Sequence, residues 1–329
     1  MAVKIGINGF GRIGKLVLRA SRGTDIEVVA VNDLTEPATL AHLLKYDSLH
    51  GAYPGDVTYD DKSITVEGKK ILVLSERDPA NLRWGDLGVD IVVESTGRFT
   101  SKESVEGHIK AGAKKVLISA PAKGHDGTFV PGVNADQYDP KKHHIISIGS
   151  CTTNCLAPVV KIALDNFGIE NGFMTTIHAY TNDQNILDAP HKDLRRARGG
   201  AMSLIPTSTG AAKAIAQVIP ETAGKLDGCA VRAPVPLGSL VDLALLLGKS
   251  VSRDEINEVY RNAANGAYKG ILSYCVDPIV SCDVIGDPHS SIFDSAMTMA
   301  NGKLVKLFSW YDNEWGFANR LVETLPRML

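Results

Sequence analysis

Apolar and polar positions alternate at the start of the chain, and the period then changes. V3-K-I-G-I-N-G9 follows the period of two expected of a strand, G9-F-G11-R-I-G14 interrupts it, and apolar residues between 13 and 20 recur at helical spacing. I26-E-V-V-A-V-N-D33 is a second apolar run that ends in an acid. The pattern predicts a strand, a glycine-rich turn, a helix and a second strand.

The alternation of strands and helices continues to about residue 119. T35-E-P37 predicts a helix with Thr35 as its cap and Pro37 in its first turn. Three short alternating segments between 57 and 75 suit an antiparallel insertion. V89-D-I-V-V-E94, a helical segment at 101–111 and K115-V-L-I-S119 then return to the β-α-β order of a doubly wound parallel sheet.

From residue 151 the pattern is different. C151-T-T-N-C-L-A-P-V-V-K-I-A-L164 predicts a helix that Ser150 caps and that Pro158 bends. S252-R-D-E255 is a capping box at the start of a further helix. Long apolar stretches between 229 and 248 and a hairpin turn at N301-G302 indicate a mostly antiparallel sheet.

Length and composition restrict the class of protein. A chain of 329 residues favours two domains, and 44% hydrophobic with 22% charged residues is ordinary for a globular protein. The formal net charge of -2 gives no indication of a nucleic-acid or membrane partner. M-A-V-K-I-G-I-N-G-F lacks a basic segment followed by an apolar run, so we expect no signal peptide and a cytoplasmic location.

The glycine pattern between the first strand and helix is typical of dinucleotide-binding Rossmann domains. Gly9 permits the tight turn, Gly11 lets the backbone approach a pyrophosphate, and Gly14 allows the helix to pack closely. Asp33 follows Gly14 by 19 residues (33 − 14), where it can bind an adenosine ribose and repel a 2′-phosphate, so NAD is favoured over NADP. The carboxyl edge of the sheet is expected to gather Asp33, Thr96, Gly97 and Ser119.

The chain has five cysteines, at positions 151, 155, 229, 275 and 282. An odd number without a secretion signal argues against a disulfide framework, and the spacing of Cys151 and Cys155 lacks the second ligand pair of a zinc site. Cys151 at a helix start meets the positive end of the helix, which favours the thiolate, and His178 lies 27 residues later (178 − 151) at a strand end as a candidate base. At this point a nucleophile with its base and plain packing both remain open.

Groups suited to anions lie downstream. T207-S-T-G-A-A-K-A is a Ser/Thr/Gly turn that opens a helix, and L194-R-R-A-R198 and Arg232 could bring guanidinium groups to it. The arginine run is equally typical of a solvated basic loop.

Several longer motifs occur in order along the chain: I-N-G-F-G-R-I-G, L-K-Y-D-S-L-H-G, S-C-T-T-N-C-L-A-P, H-K-D-L-R-R-A-R, S-T-G-A-A-K-A and W-Y-D-N-E-W-G. With these motifs the sequence resembles the phosphorylating glyceraldehyde-3-phosphate dehydrogenases along essentially all 329 residues. The resemblance implies a glycolytic oxidoreductase that converts D-glyceraldehyde 3-phosphate to 1,3-bisphosphoglycerate with NAD and inorganic phosphate. Cys151 would carry a hemithioacetal and then a thioester, His178 would act as base, and phosphate would open the thioester.

The resemblance also implies a set of binding residues. It assigns Thr181 and Arg232 to the substrate phosphate, and assigns to sites shared between substrate and incoming phosphate Ser150, Thr152, Arg196, Thr209 and Gly210. For the cofactor it adds to Gly9, Gly11, Gly14 and Asp33 the residues Arg12, Ile13, Arg77, Ser119 and Asn313. It implies no metal, and it assigns Cys155 to packing, with a disulfide to Cys151 conceivable under oxidation.

The fold implied is α/β: a Rossmann-type doubly wound parallel sheet domain plus an α+β catalytic domain with a mostly antiparallel sheet. Residues 1–150, completed by a C-terminal helix at 314–329, would form the NAD-binding domain, and residues 151–313 the catalytic domain. The resemblance further implies a homotetramer in which the segment near 180–205 reaches a neighbouring subunit's cofactor site.

Two stretches depart from the family pattern. After Arg232 the chain has A-P-V-P-L-G-S-L-V-D-L where most members are closer to V-P-T-P-N-V-S-V-V-D-L, so altered packing or subunit contact is expected. Ala189 stands where strictly NAD-using members often have leucine, whereas Asp33-Leu34 matches the NAD pattern.

Three alternatives belong to other functions. They are an erythrose-4-phosphate dehydrogenase on the same scaffold, in which water resolves the thioester, a non-catalytic nucleotide-binding protein, and a cysteine hydrolase. Thr181 and Arg196 argue for phosphate, and the presence of Cys151 and His178 argues against a protein without catalysis. The glycine turn with Asp33 would serve no purpose in a hydrolase.

Overall fold

The structure is a computed structural model and describes residues 2–329, which divide into two compact units. The first unit comprises the chain up to Phe129 together with Gln137–Gly149 and Ala318–Leu329, and the second comprises Val130–Asp136 and Ser150–Phe317. Residues 130–136 therefore lie in the second unit although the sequence suggests a boundary at 150, because Val130 is fully buried in the core of the second unit.

The first unit is built on a nine-stranded sheet. Its strands, with the separate hairpin β3–β4, are β1 Val3–Asn8, β2 Ile26–Asn32, β3 Tyr46–Asp47, β4 Gly51–Ala52, β5 Val57–Asp60, β6 Ser63–Val66, β7 Lys69–Leu74, β8 Ile91–Glu94, β9 Lys115–Ile118, β10 Gly127–Thr128 and β11 Ile145–Ser147. The strand order is β10-β11-β9-β8-β1-β2-β7-β6-β5, parallel from β10 to β7 and antiparallel at β6 and β5. The predicted parallel sheet with an antiparallel insertion is confirmed.

The helices of this unit follow the predicted β-α-β order. They are α1 Arg12–Ala20, α2 Pro37–Lys45 and α3 Lys102–Lys110. Ser101 caps α3 through a capping box. The prediction that Thr35 caps α2 is wrong: Glu36 is the N-cap residue and makes no capping side-chain hydrogen bond. Pro37 occupies the first turn of the helix, as predicted.

The central strands are covered on both faces, as parallel sheets usually are. All four residues of β8 and of β9 are buried, and Trp84, fully buried, packs with Val92 and Leu82. Gly6 in β1 makes room for Trp84, since a Cβ at Gly6 would lie 2.6 Å from the indole ring.

The chain ends within the first unit. Helix α7 spans Trp315–Thr324 and is followed by a 3-10 turn at Leu325–Met328. Leu321, Leu325 and Met328 are fully buried, and the Tyr138 hydroxyl donates to the Met328 carbonyl at 3.1 Å. The C-terminal segment is thus an integral part of the core of the first unit.

The second unit contains an eight-stranded sheet and three helices. In chain order they are α4 Cys151–Phe167, β12 Ile169–Ala179, β13 Ile205–Ser208, α5 Ala211–Val218, β14 Leu226–Ala233, β15 Ser239–Leu247, α6 Arg253–Asn265, β16 Leu272–Cys275, β17 Ser291–Asp294, β18 Met299–Asn301 and β19 Leu304–Tyr311. Five strand pairs are antiparallel and two, β12–β14 and β16–β17, are parallel. The predicted mostly antiparallel sheet is confirmed.

One face of this sheet packs on the helices and the other is open. Met174, Leu243 and Leu307 alternate into a core shared with α4. The opposite positions, which we call the open sheet face, are half-buried or exposed and largely apolar: Phe173, Ile177, Leu240, Leu246, Leu304 and Phe308. Within residues 2–329 no helix is both long enough and apolar enough to cross a membrane.

Candidate active site

The turn after β1 has the shape that a dinucleotide requires. Gly9 has φ +90°, and a Cβ there would lie 2.6 Å from the Thr96 nitrogen. A Cβ at Gly14 would lie 2.3 Å from the Gly9 carbonyl oxygen, so α1 packs directly on the turn. Gly11 instead faces open space, with no heavy atom within 4 Å of its ideal Cβ. The backbone at the start of α1 is therefore open to a pyrophosphate.

A cavity of about 360 Å³ lies at the carboxyl ends of β1, β2 and β8. Of the predicted cofactor residues, Gly9, Gly11, Asp33 and Arg77 line it. The Asp33 carboxylate accepts hydrogen bonds from the backbone nitrogens of Phe10 at 2.9 Å and Thr35 at 3.0 Å, which fix it at the end of β2. In doubly wound sheets, ligands bind at this edge.

The other predicted cofactor residues lie elsewhere. Arg12 at the start of α1 forms an ion pair with Asp47 at 2.8 Å. Ile13 and Ser119 belong to the first unit without lining the cavity, and Asn313 belongs to the second unit. The Asn313 side-chain oxygen accepts a hydrogen bond from the Ser239 hydroxyl at 2.9 Å.

The two residues predicted to be catalytic lie together in the second unit. Cys151 is the first residue of α4, which Ser150 caps by accepting from the Thr153 nitrogen. His178 lies near the end of β12, and its Nε2 is 3.5 Å from the Cys151 sulfur. The helix start and the strand end thus bring a half-buried thiol and a buried imidazole into hydrogen-bond contact.

The hydrogen-bond partners of His178 fix which ring nitrogen carries the proton. Nδ1 lies 2.7 Å from the Ala179 carbonyl oxygen, which can only accept, and 3.0 Å from Arg232 Nη1, which can only donate. Because the two hydrogens of Nη1 have other acceptors, the Ala179 carbonyl and the Thr181 hydroxyl, the shorter contact assigns the proton to Nδ1. Arg232 donates to the same carbonyl at 3.1 Å. Nε2 therefore presents its lone pair to Cys151 and can receive the thiol proton.

Burial dominates the electrostatics of this pair. It raises the pKa of the Cys151 thiol, an effect that the charge of Arg232 opposes. Burial and then the charge of Arg232 lower the pKa of His178 to about 4. The backbone N–H groups of Cys151 and Thr152 at the helix start lower the pKa of the thiol, in the direction expected, but the loss of hydration outweighs them. At neutral pH the pair is a thiol beside a neutral base.

Basic and hydroxyl groups surround the pair. Arg232 Nη1 donates to the Thr181 hydroxyl at 3.0 Å, and Arg196 Nη1 is 2.9 Å from a carboxylate oxygen of Asp183. Asp183 also accepts from the Thr181 hydroxyl, so one carboxylate connects two predicted phosphate ligands. Arg198 instead pairs with Asp188 at an exposed position.

The remaining predicted phosphate ligands differ in what they can offer. Thr209 accepts from the Ala211 nitrogen, and Gly210 begins α5 without a side-chain cap, so backbone N–H groups of α5 are available. The Thr152 hydroxyl is 2.9 Å from the hydroxyl of buried Tyr311, and either group can be the donor.

Sequence patterns alone missed Tyr311 and Asp183. Tyr311 bonds the Thr152 and Thr176 hydroxyls at 2.9 and 2.8 Å, and its ring meets the ring of His178 edge-on. It lies inside the W-Y-D-N-E-W-G motif, which was the one available indication of its importance. Asp183 had no such indication.

Comparisons with known proteins agree with this geometry. The family described as "Glyceraldehyde 3-phosphate dehydrogenase, NAD binding domain" matches residues 3–102, and "Glyceraldehyde 3-phosphate dehydrogenase, C-terminal domain" matches residues 150–313. A glyceraldehyde-3-phosphate dehydrogenase of Streptomyces coelicolor is 60% identical over 98% of this chain and 97% of its own. One of Geobacillus stearothermophilus is 59% identical, with the same coverage. The chain belongs to the glyceraldehyde-3-phosphate dehydrogenase family.

Membership of the glyceraldehyde-3-phosphate dehydrogenase family confirms several predictions. The predicted family, the fold class and NAD as cofactor are correct, and the protein is an NAD-dependent oxidoreductase. Among residues 2–329, no cluster of three or more His, Cys, Asp or Glu side chains could hold a metal ion.

The departure from the glyceraldehyde-3-phosphate dehydrogenase pattern after Arg232 concerns packing. Gly238, which stands where the family pattern has valine, has φ +84°, and a Cβ there would lie 2.0 Å from the Ser281 carbonyl oxygen. Arg232 keeps its contacts with Ala179 and Thr181. Valine would therefore not fit the backbone at position 238, whereas the contacts of Arg232 are those of a group beside the catalytic pair.

Cys155 lies one turn along α4 from Cys151. It is fully buried, its sulfur lies 3.7 Å from the Ser291 hydroxyl and from the Ser309 carbonyl oxygen, and burial raises its pKa to about 12. Its environment is that of a packed thiol.

Proposed function

We propose that the protein oxidises and phosphorylates D-glyceraldehyde 3-phosphate to 1,3-bisphosphoglycerate with NAD and inorganic phosphate. The observation that carries the proposal is the 3.5 Å contact between the Cys151 sulfur and a bare Nε2 of His178, beside two arginines. Hydrolysis alone would not require the dinucleotide site of the first unit.

Cys151 acts as the nucleophile. As its sulfur attacks the aldehyde carbon, the thiol proton passes to His178 Nε2 and then to the former carbonyl oxygen, which gives a hemithioacetal. His178 takes the hydroxyl proton again when the carbon is oxidised, and Cys151 is left as a thioester. A phosphate oxygen then attacks the thioester carbon, the acyl phosphate forms, and the sulfur leaves and regains a proton.

The residues of the first unit that suit NAD are Gly9, Gly11, Asp33 and Arg77, which line the cavity. When bound, NAD supplies the hydride acceptor of the oxidation. Gly11 leaves the phosphates access to the backbone, and Asp33 accepts hydrogen bonds from a ribose. Arg12, Ile13, Gly14 and Ser119 remain in the proposal as residues of the same unit that support this site. Asn313, in the second unit, remains a proposed NAD ligand.

Thr181 and Arg232 are proposed to bind the substrate phosphate, while Arg196, Ser150, Thr152, Thr209 and Gly210 bind the incoming phosphate or share the anion. A phosphate at Arg232 would also act on the base. Because the Arg232 charge lowers the pKa of His178, an anion paired with Arg232 raises that pKa again. Substrate binding thus makes His178 more basic when the thiol proton must leave.

We also propose a homotetramer. The open sheet face carries exposed Phe173 and Leu304, and the segment at 180–204 exposes five large apolar side chains: Ile186, Leu187, Leu194, Met202 and Leu204. So much apolar surface is unusual on a monomer and suits contacts with further copies. Light scattering during gel filtration tests this: a species of four chains is expected, and Phe173→Asp should yield smaller species.

A cytoplasmic location is proposed along with the glycolytic substrates. Fractionation of the source cells tests it, with activity expected in the cytoplasmic fraction.

The deciding experiment follows NADH formation by absorbance with glyceraldehyde 3-phosphate, with and without inorganic phosphate. Phosphate-dependent turnover is expected for the wild type and for Cys229→Ser, the matched control at an exposed cysteine, and none for Cys151→Ser. Sustained turnover without phosphate, or activity in Cys151→Ser, contradicts the proposal. Erythrose 4-phosphate and NADP in parallel assays define substrate and cofactor preference.

A further inference from the structure

A buried carboxylate lies behind the wall of the NAD cavity. Glu94, at the end of β8, is 2% exposed. One oxygen accepts from the Thr96 nitrogen at 2.9 Å and the Thr96 hydroxyl at 2.5 Å, and the other from the Asn8 amide at 2.6 Å and lies 3.1 Å from His108 Nε2. Asn8 and Thr96 both line the cavity.

His108 also donates a hydrogen bond to Glu94. Trp84 Nε1, which can only donate, lies 3.0 Å from His108 Nδ1, so Nδ1 accepts and Nε2 carries the proton. Four donors therefore meet the four lone-pair positions of one carboxylate, and no acceptor faces it among these contacts. Both oxygens of Glu94 thus act only as acceptors in these four contacts.

The network continues from Asn8 to the loop that carries Arg77. The Asn8 oxygen accepts from the Asn32 amide at 2.7 Å. The same Asn32 amide donates to the Glu76 carbonyl at 2.9 Å, and the Asn32 oxygen accepts from the Glu76 nitrogen at 2.8 Å. Both backbone groups of Glu76 are thus held by one side chain that is 5% exposed.

These contacts join strand ends that are distant in sequence. Asn8 ends β1, Asn32 ends β2, Glu94 ends β8, and Glu76 follows β7. Each amide of Asn8 and Asn32 uses both its oxygen and its nitrogen inside the network. Their contribution is to hold the walls of the cavity.

We propose that Glu94, Asn8 and Asn32 form a buried relay that positions the Arg77 loop for NAD, with the Glu94 carboxylate as its fixed point. The relay is made of positioning residues. It rests on the proposed function in that NAD is the ligand of this cavity. Without the relay, residue 76 loses its tether and Arg77 samples conformations that must be restricted again when NAD binds.

The experiment measures two quantities on the full chain: the NAD dissociation constant by calorimetry, and hydrogen exchange at the Glu76 amide without NAD. Asn32→Ala removes the side chain that holds the backbone of Glu76. Glu94→Gln places an amide N–H group against groups that donate to Glu94. Each is expected to weaken NAD binding about tenfold, and Asn32→Ala to speed exchange at Glu76. Asn32→Asp, which keeps the shape and loses the donors, serves if Glu94→Gln does not fold.

Tyr138→Phe is the matched control, because it removes side-chain hydrogen bonds to the His143 and Met328 carbonyls in the same unit. It should leave the NAD dissociation constant within about twofold of wild type. A folded Asn32→Ala protein that binds NAD as wild type does, or unchanged Glu76 exchange, overturns the relay. A wild type that does not bind NAD at all contradicts the proposed function instead.

Discussion

Removing the charge of Arg232 should raise the pKa of His178, and Arg232→Met is the suitable change because it keeps much of the length and loses the charge. Arg232 Nη1 lies 3.0 Å from His178 Nδ1. Two charges about 4 Å apart interact by ~4 kcal/mol at an effective dielectric constant of about 20, equivalent to about three in pKa. The value of about three is an upper limit, or ceiling, for the effect of the Arg232 charge on the pKa of His178.

The structure indicates a smaller effect of Arg232 on the pKa of His178. The pKa of His178 falls from 6.5 to about 4 in total, and burial is a larger cause than Arg232. The Arg232 charge is thus the second cause after burial, and Arg232→Met should move the pKa of His178 upward by less than the ceiling of about three. The imidazole of the variant should thus begin to take up protons at a pH where that of the wild type is still neutral.

The assay is an NMR titration of isotope-labelled histidine, with the His178 resonance assigned by its loss in His178→Gln. Arg198→Met is the control, because Arg198 pairs with Asp188 where both side chains are more than half exposed and solvent screens the charge. An unchanged His178 pKa in Arg232→Met, or an equal rise in Arg198→Met, refutes the reasoning. Addition of inorganic phosphate to the wild type should shift the pKa in the same upward direction.

Four further substitutions have expected outcomes. Gly11→Ala should fold normally and weaken NAD binding, measured by calorimetry, about tenfold or more. Gly14→Ala should instead lower the midpoint of urea unfolding, because a Cβ at Gly14 would lie 2.3 Å from the backbone whereas a Cβ at Gly11 meets no atom. Gly238→Val should cost about 2–4 kcal/mol of unfolding free energy, and a neutral effect would contradict the 2.0 Å approach. Tyr311→Phe should cost about 1–3 kcal/mol, with kcat falling more than KM rises if it orients the site. Equal changes in kcat and KM would limit Tyr311 to packing.

Local sequence patterns predicted the elements of the site well. The glycine turn, the Ser150 cap and the strand that ends near His178 each depend on a few neighbouring residues, so the local sequence is enough to predict them. The predicted cap of α2 was wrong by one residue: the N-cap is Glu36, directly before Pro37, and not Thr35.

Long-range electrostatics were not predictable in this way. The helix start at Cys151 indicated a thiolate, but the sequence does not state how much water the thiol loses or that Arg232 adjoins His178. The partners of Glu94 likewise come from the end of β1, the loop after β8 and helix α3, so no spacing along the chain reveals them.

The return of residues 318–329 to the first unit has a consequence for biosynthesis. The N-terminal part of a chain leaves the ribosome first, so most of the first unit emerges before the second unit has been synthesised. Leu321, Leu325 and Met328, which are fully buried in that unit, arrive last of all. The nascent first unit therefore keeps an incomplete core until the whole of the second unit has been translated.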